Sequence, residues 1–316
     1  MNAKTNIAFI NCYFGQFPAY LNLFLQSCAH NPHYQFLLFS DAESPYPIPS
    51  NVRIIPFRFE NLLERIEEKL GFPCGVTNPY KACDFKPAYG LLMEDFLTEF
   101  DYWGLCDLDM ILGDFSATIQ PFIDQGVDIF SSREEYFSGA LAVLRNVPKI
   151  NRLFLKSPVL QEVFQDEQFK GFDECFEAWH YLLDGGDMME SEEVKDSFSY
   201  LIEQERRNAH LTAAFQTNIL ESREQIFENG AEWTNGKVIS AGKEYSAIHF
   251  VTTKRKFHFL LPKLAFTPSS LRVNKYGVAP GKGEGFAGLH FTYLKRPALL
   301  LEEGTKKTIQ KLGLWS

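Results

Sequence analysis

Three short apolar runs, each cut off by polar residues at its C-terminal end, restrict this chain more than any other feature. Residues Asn6 to Tyr13 are almost continuously apolar, Gln35 to Phe39 repeat the pattern, and Asp101 to Cys106 repeat it again. Runs this short without polar alternation read as strands buried on both faces, which a parallel sheet covered by helices requires. Phe14, Gly15 and Gln16 break the first run, and Pro18 suits the first turn of a helix. Tyr20, Leu21, Phe24, Leu25 and Cys28 then recur at helical spacing, until Asn31 and Pro32 end the pattern. Glu43 to Ser50 contain three prolines and form a loop, followed by a short strand over Val52 to Pro56. Strand, helix, strand and strand in this order predict an α/β domain with a largely parallel sheet.

The chain has 316 residues, 45% hydrophobic and 22% charged, with 30 Phe, enough apolar material for one large domain or two smaller ones. No run has the roughly 18 consecutive apolar residues needed to cross a bilayer. The opening residues lack a long apolar stretch followed by a small-residue cleavage site, so they read as a first strand. Cys12, Cys28, Cys74, Cys83, Cys106 and Cys175 contain no Cys-x-x-Cys pair and are expected as reduced thiols of a cytoplasmic protein. Lys plus Arg total 31 against 40 Asp plus Glu, a net charge of −9. Such a surface repels a phosphate backbone and argues against nucleic acid as a partner. A phosphorylated small molecule would need a local cation to hold it.

Further along, the spacing predicts amphipathic helices over Asn61 to Leu70 and Phe85 to Phe100, and strands over Val127 to Phe130 and Gly139 to Leu144. Residues 150 to 228 read as mostly helical, with a polar insertion beginning near Gly185. Asn235-Gly236 marks a tight hairpin turn between strand-like segments.

The chemistry concentrates in Asp107-Leu108-Asp109. Residues i and i+2 of an extended chain share a face, so the two carboxylates converge while Leu108 points away. They follow an apolar strand directly, where open α/β sheets place their ligand sites. Adjacent carboxylates repel, and a divalent cation removes that conflict; hard oxygen ligands suit Mg²⁺ or Mn²⁺. The alternative is that both are solvated loop residues.

An apolar strand closing on Asp-x-Asp, after a segment bearing Lys86, resembles the nucleotide-sugar-dependent glycosyltransferases of the GT-A fold. Asn78 to Gly90 followed by Trp103 to Asp109 is more closely similar to a bacterial glycosyltransferase-like family, as are Asn11 to Pro18 and Phe39 to Asp41. The resemblance covers residues 5 to 145 well and the remainder weakly. It implies a GT-A-like, Rossmann-type sheet, mostly parallel and flanked by helices, over residues 1–260. A helical insertion would occupy about 185–215, and a C-terminal extension would pack on the domain from 261 to 316. It also implies a nucleotide-sugar donor and a saccharide or lipid-linked saccharide acceptor, as in polysaccharide biosynthesis.

The resemblance implies roles for further residues. Tyr13 and Phe14 would lie near the nucleotide base, and Asp41 would bond the base or ribose. Asp84 and Lys86 would face the donor, with Lys86 neutralising phosphate or bonding the sugar; the alternatives are a helix N-cap and a surface lysine. Ser138 and Gly139 resemble the loop that floors the sugar pocket, although Gly139 also suits a tight turn. His249 would be the third metal ligand, with Lys254, Arg255 or Lys256 neutralising the leaving diphosphate; His290 is its rival. Asp173 and Glu174 offer a carboxylate pair for a general base, or a helix cap, and the stereochemistry stays open between inverting and retaining.

The terminal segment from Lys295 to Ser316 mixes apolar and basic residues. It reads either as a helix closing the core or as one lying on the inner face of an anionic membrane. Two other functions fit the motif: a haloacid-dehalogenase-type phosphatase with Asp107 as nucleophile, or a non-catalytic saccharide-binding relative.

Overall fold

The computed structural model describes residues 5–221, 230–251, 269–274 and 277–281. Its main sheet has seven strands: β1 (Ile7–Cys12), β2 (Gln35–Ser40), β3 (Val52–Pro56), β4 (Tyr102–Cys106), β6 (Ile129–Ser131), β7 (Leu141–Arg145) and β8 (Ala213–Phe215). Their order is β3-β2-β1-β4-β7-β6-β8. The first four are parallel, β7 runs antiparallel to β4 and β6, and β8 is parallel to β6. The fold is therefore mixed α/β with a mostly parallel large sheet flanked by helices, the expected class.

The apolar runs explain the layering. On β1, Ala8 and Ile10 join one hydrophobic cluster while Ile7 and Phe9 join another, and β2 divides in the same way between Leu37 with Phe39 and Phe36 with Leu38. Both faces of the sheet are thus covered, which is why these strands show no polar alternation. Helix α1 (Leu21–Ala29) buries Leu21, Phe24, Leu25 and Cys28 on one side; Pro18 lies in the turn before it, where its carbonyl accepts from the Leu21 N–H. Helix α2 (Phe59–Leu70) covers the other side through Phe59, Leu62 and Ile66 and ends at Gly71 in the left-handed region.

The second expected helix does not form as one piece. Residues 85–100 fold into a 3-10 turn at Lys86–Ala88, a single α-turn at Tyr89–Leu92 and another 3-10 turn at Glu94–Phe96. Pro87 lacks an N–H for a continuing ladder. Phe85, Ala88, Tyr89, Leu91, Leu92 and Met93 are all buried, so the segment is packed around more than one face rather than amphipathic.

Two smaller sheets complete the described residues. One contains β5 (Met110–Leu112), β9 (Ile219–Glu221) and β13 (Ala247–His249), with β13 in the middle. The other contains β10 (Ala231–Thr234), β11 (Lys237–Ser240), β12 (Lys243–Tyr245), β14 (Ser270–Asn274) and β15 (Gly277–Pro280). Asn235 and Gly236, both at positive φ, turn β10 into β11 as expected. β14 pairs with β10, so chain beyond residue 260 completes a sheet begun before it. The expected insertion contains the helix Phe198–Arg207 but ends in β8, an edge strand of the main sheet. All six cysteines are free thiols. No described helix is long and apolar enough to cross a membrane.

Candidate metal centre and cleft

The parallel register brings the C-terminal ends of β1, β2 and β4 to one edge of the main sheet. Asp107 leaves β4 there, its N–H donating to the Ala140 carbonyl at 2.9 Å. Leu108 is buried in the core; Leu108 and Asp109 form a turn between β4 and β5 in place of the expected extended chain, and both carboxylates still reach towards His249. The short β5 then carries the chain alongside β13, pairing Met110 with His249, and the Phe250 N–H donates to the Asp109 carbonyl. His249 Nε2 stands 3.4 Å from Asp109 Oδ1 and 4.0 Å from Asp107 Oδ2. Among the described residues, one ligand atom from each of Asp107, Asp109 and His249 lies within 4.8 Å of the others. Two hard carboxylate oxygens and an imidazole nitrogen form a donor set that suits Mn²⁺ and Mg²⁺.

His249 is buried, which by itself would depress its pKa most strongly. The charges and hydrogen bonds of Asp109 and Glu221 outweigh that effect and raise it to about 10. Without a cation the imidazolium therefore occupies positive charge that a metal would supply, and metal binding must release that proton.

These residues sit in a cleft of about 310 Å³ that also contains Lys86, Arg133, Asp173 and Glu174. Lys86 Nζ donates to Asp107 Oδ1 and to the Gly139 carbonyl, both at 2.8 Å, and lies 3.8 Å from Asp173 Oδ2. Its pKa stays well above the ordinary value: burial opposes the charge, and Asp107 with its other acidic neighbours outweighs burial. A Cβ at Gly139 would run into the Asp173 carboxylate, which would have to move to admit it.

The paired acids are not equivalent. Glu174 accepts from the Gly139 N–H at 3.2 Å and from the Trp179 indole N–H at 2.6 Å. Burial raises its pKa to about 7, opposed by the Trp179 bond. Asp173 is pushed well above the carboxylate range, chiefly by burial, and its Oδ1 is buried without a hydrogen-bond partner among the described residues.

Other expected site residues are placed differently. Asp84 does not face the cleft: it is fully buried, paired with Lys81 at 2.9 Å, and accepts from the backbone N–H groups of Lys170 and Phe172. Its carboxylate ties the segment carrying Lys86 to the segment carrying Asp173. Tyr13, Phe14 and Asp41 lie at the same sheet edge but outside the cleft lining. The Tyr13 ring stacks on Phe17, and its hydroxyl pKa is raised by partial burial and by the nearby Asp109 charge. Phe14 packs on Phe59, and Asp41 accepts from the Gly15 N–H at 2.7 Å. Ser138 is buried, its Oγ accepting from the Ala140 N–H. Lys254, Arg255, Lys256, His290 and the terminal segment lie outside the described residues.

Arg133, Tyr136, Trp179 and Glu221 also line the cleft, and sequence reading missed all four. Ser132 and Arg133 follow β6 on a short loop, and nothing in their spacing marks a site. Nor does spacing mark Trp179; only the structure shows that Phe176 and Glu177, just after Asp173 and Glu174, adopt positive φ, a strained turn of the kind that clusters at functional sites.

The geometry defines a class: a mixed α/β protein with a candidate divalent-metal centre at the C-terminal edge of its main sheet. Within that class, the chain belongs to the family described as Family of unknown function (DUF6625), whose model matches residues 9–282. No curated protein matches the chain significantly. Among solved structures, it is similar to the galactosyltransferase LgtC in complex with donor and acceptor sugar analogs, at 17% identity and a TM-score of 0.33. That match covers 52% of this chain and 66% of LgtC, just under two thirds of its length. An active-site variant of LgtC matches at 16% identity with a TM-score of 0.33 over the same shares of both chains. Apo mouse xyloside xylosyltransferase 1 matches at 10% identity and a TM-score of 0.38, over 70% of this chain and 88% of that one.

Proposed function

We propose that this chain transfers a sugar from a nucleotide-diphosphate donor to a saccharide or lipid-linked saccharide acceptor, using Mn²⁺ or Mg²⁺ held by Asp107, Asp109 and His249. The observation that carries this reading is the convergence of those three side chains, from distant parts of the sequence, in one cleft at the C-terminal edge of the sheet. A bound divalent ion would neutralise the diphosphate and act as a Lewis acid at the leaving oxygen.

The chain's own residues take separate roles. Tyr13, Phe14 and Asp41, just past the ends of β1 and β2, would offer the nucleoside two aromatic rings and a carboxylate at the same sheet edge, outside the lining of the metal cleft. Lys86 screens the partly exposed Asp107 from the buried Asp173, which keeps the two acids tolerable beside each other. Asp173 Oδ1, buried and without a partner among the described residues, is the acceptor for a substrate hydroxyl, either holding it or taking its proton. Glu174, with both oxygens already accepting N–H bonds, positions Trp179 and the Ser138–Gly139 loop. Lys254 and Lys256 neutralise the leaving diphosphate in this reading.

Calorimetric titration of nucleoside diphosphates with and without Mn²⁺ tests it, paired with assays of nucleotide-sugar hydrolysis and of a generic phosphomonoester. Metal-dependent diphosphate binding with slow sugar release is the expected result. Phosphomonoester turnover instead would favour the phosphatase, and donor binding without turnover in the presence of acceptors a saccharide-binding relative. Absence of metal-dependent binding for every nucleoside diphosphate would overturn the proposal.

A further inference from the structure

Register places two side chains beside each other on neighbouring strands: in the parallel pairing of β13 with β9, His249 is opposite Glu221. Side chains at paired positions lie on the same face of a sheet. Glu221 Oε1 is 3.1 Å from His249 Nδ1, while Nε2 faces Asp109 and Asp107. The second Glu221 oxygen is 3.3 Å from Arg133 Nη2. Arg133 is itself 3% exposed, and its guanidinium lies 5.6 Å from the centre of the Tyr136 ring.

We propose that Glu221, held by Arg133, is the positioning residue of the metal centre: it fixes the His249 ring so that Nδ1 donates to Glu221 and Nε2 presents its lone pair to the ion. This rests on the metal-site reading above. An imidazole has two nitrogens and an open ring torsion, and both must be settled before it can ligate with a single geometry. A carboxylate accepting from Nδ1–H settles both and makes the opposite nitrogen a stronger ligand. Arg133 restrains Glu221 in turn by engaging its other oxygen, so that the carboxylate does not swing across the ring to bind the cation itself. Sequence gives no hint of this relay, because Arg133, Glu221 and His249 come from three separate segments.

The test is Mn²⁺ binding to the full chain, read from the free-ion electron paramagnetic resonance signal, with the Co²⁺ absorption spectrum as a geometric readout. Glu221→Ala should weaken Mn²⁺ binding by roughly 10- to 100-fold and alter the Co²⁺ bands. Glu221→Gln retains an amide oxygen that accepts from Nδ1–H, and should recover most of the affinity and the native spectrum. Equal losses in the two variants would overturn the orienting role, as would wild-type affinity in Glu221→Ala. Asp107→Ala serves as the reference. If it too binds Mn²⁺ normally, the metal-site reading itself fails; if it alone loses binding, the centre stands and only the role of Glu221 falls.

Discussion

Lys86 and Asp107 form the ion pair on which the cleft is organised: Nζ lies 2.8 Å from Oδ1, while Oδ2 of the same carboxylate faces His249. Asp107 is thus shared between a resident cation and the proposed metal position. Lys86 is correspondingly less a free phosphate anchor than a counter-charge for Asp107 and Asp173. Opposite effects on stability and metal affinity follow from that arrangement. Lys86→Met should leave two acids without their cation and lower unfolding free energy, by less than removing one partner of a fully buried pair would, because the Asp107 side chain is 27% exposed. The same variant should bind Mn²⁺ more tightly, because a competing positive charge is gone. Denaturant titration and Mn²⁺ titration together check this; weaker Mn²⁺ binding would contradict it.

Asp107→Ala and Asp109→Ala should abolish measurable Mn²⁺-dependent nucleoside diphosphate binding while leaving the circular dichroism spectrum unchanged. Lys86 keeps the Gly139 carbonyl and Asp173 beside it, so the secondary structure should persist, while loss of an ion-pair partner to Lys86 or His249 lowers the melting temperature. Calorimetric binding indistinguishable from wild type in either variant would sink the metal-bridge role.

The His249 pKa sets a pH dependence with a definite sign. It is about 10 in the fold against an ordinary value of 6.5, so the folded, metal-free protein binds the extra proton between those values. Stabilisation from the imidazolium is complete below pH 6.5 and is lost as pH rises through 10, with a slope of up to about 1.4 kcal/mol per pH unit. Metal binding runs the other way. Because the ion displaces that proton, Mn²⁺ affinity should strengthen by up to roughly tenfold per pH unit over about pH 6.5 to 8.5. A flat affinity across this window in wild type, or an unchanged slope in His249→Ala, would refute the linkage.

Asp84 is expected to matter for folding and not for donor contact. Its carboxylate and the Lys81 ammonium are both fully buried. Asp84→Ala strands a buried lysine and two backbone N–H groups and should cost about 3–5 kcal/mol. Nucleoside diphosphate affinity measured well below the melting temperature should change little. A large affinity loss in a variant of normal stability would restore the donor-facing role.

Gly139→Ala should be disproportionately harmful for one methyl group. The added Cβ displaces the Asp173 carboxylate, and overpacking of this kind costs about 1–3 kcal/mol. Sugar release should fall along with stability, whereas Mn²⁺ affinity should stay within a few-fold of wild type. Full retention of turnover would show that the Asp173 position is not critical.

Local signals determined much of this protein. Unbroken apolar runs specified strands buried on both faces, Asn235-Gly236 specified its hairpin, and the apolar run ahead of Asp107 and Asp109 specified that both carboxylates follow the end of a strand. Each depends on residues a few positions apart, whose relative directions follow from backbone geometry. Only the tertiary structure decided which distant groups meet. It seated His249 against Met110 through β5–β13 pairing and set Glu221 beside His249. It turned Asp84 into the core and left Asp173, rather than Glu174, with an open oxygen. Sequence pattern is silent there because contacts between remote strands depend on register and burial, and the same Asp or Glu is a cap, a buried tie or a ligand according to what packs around it.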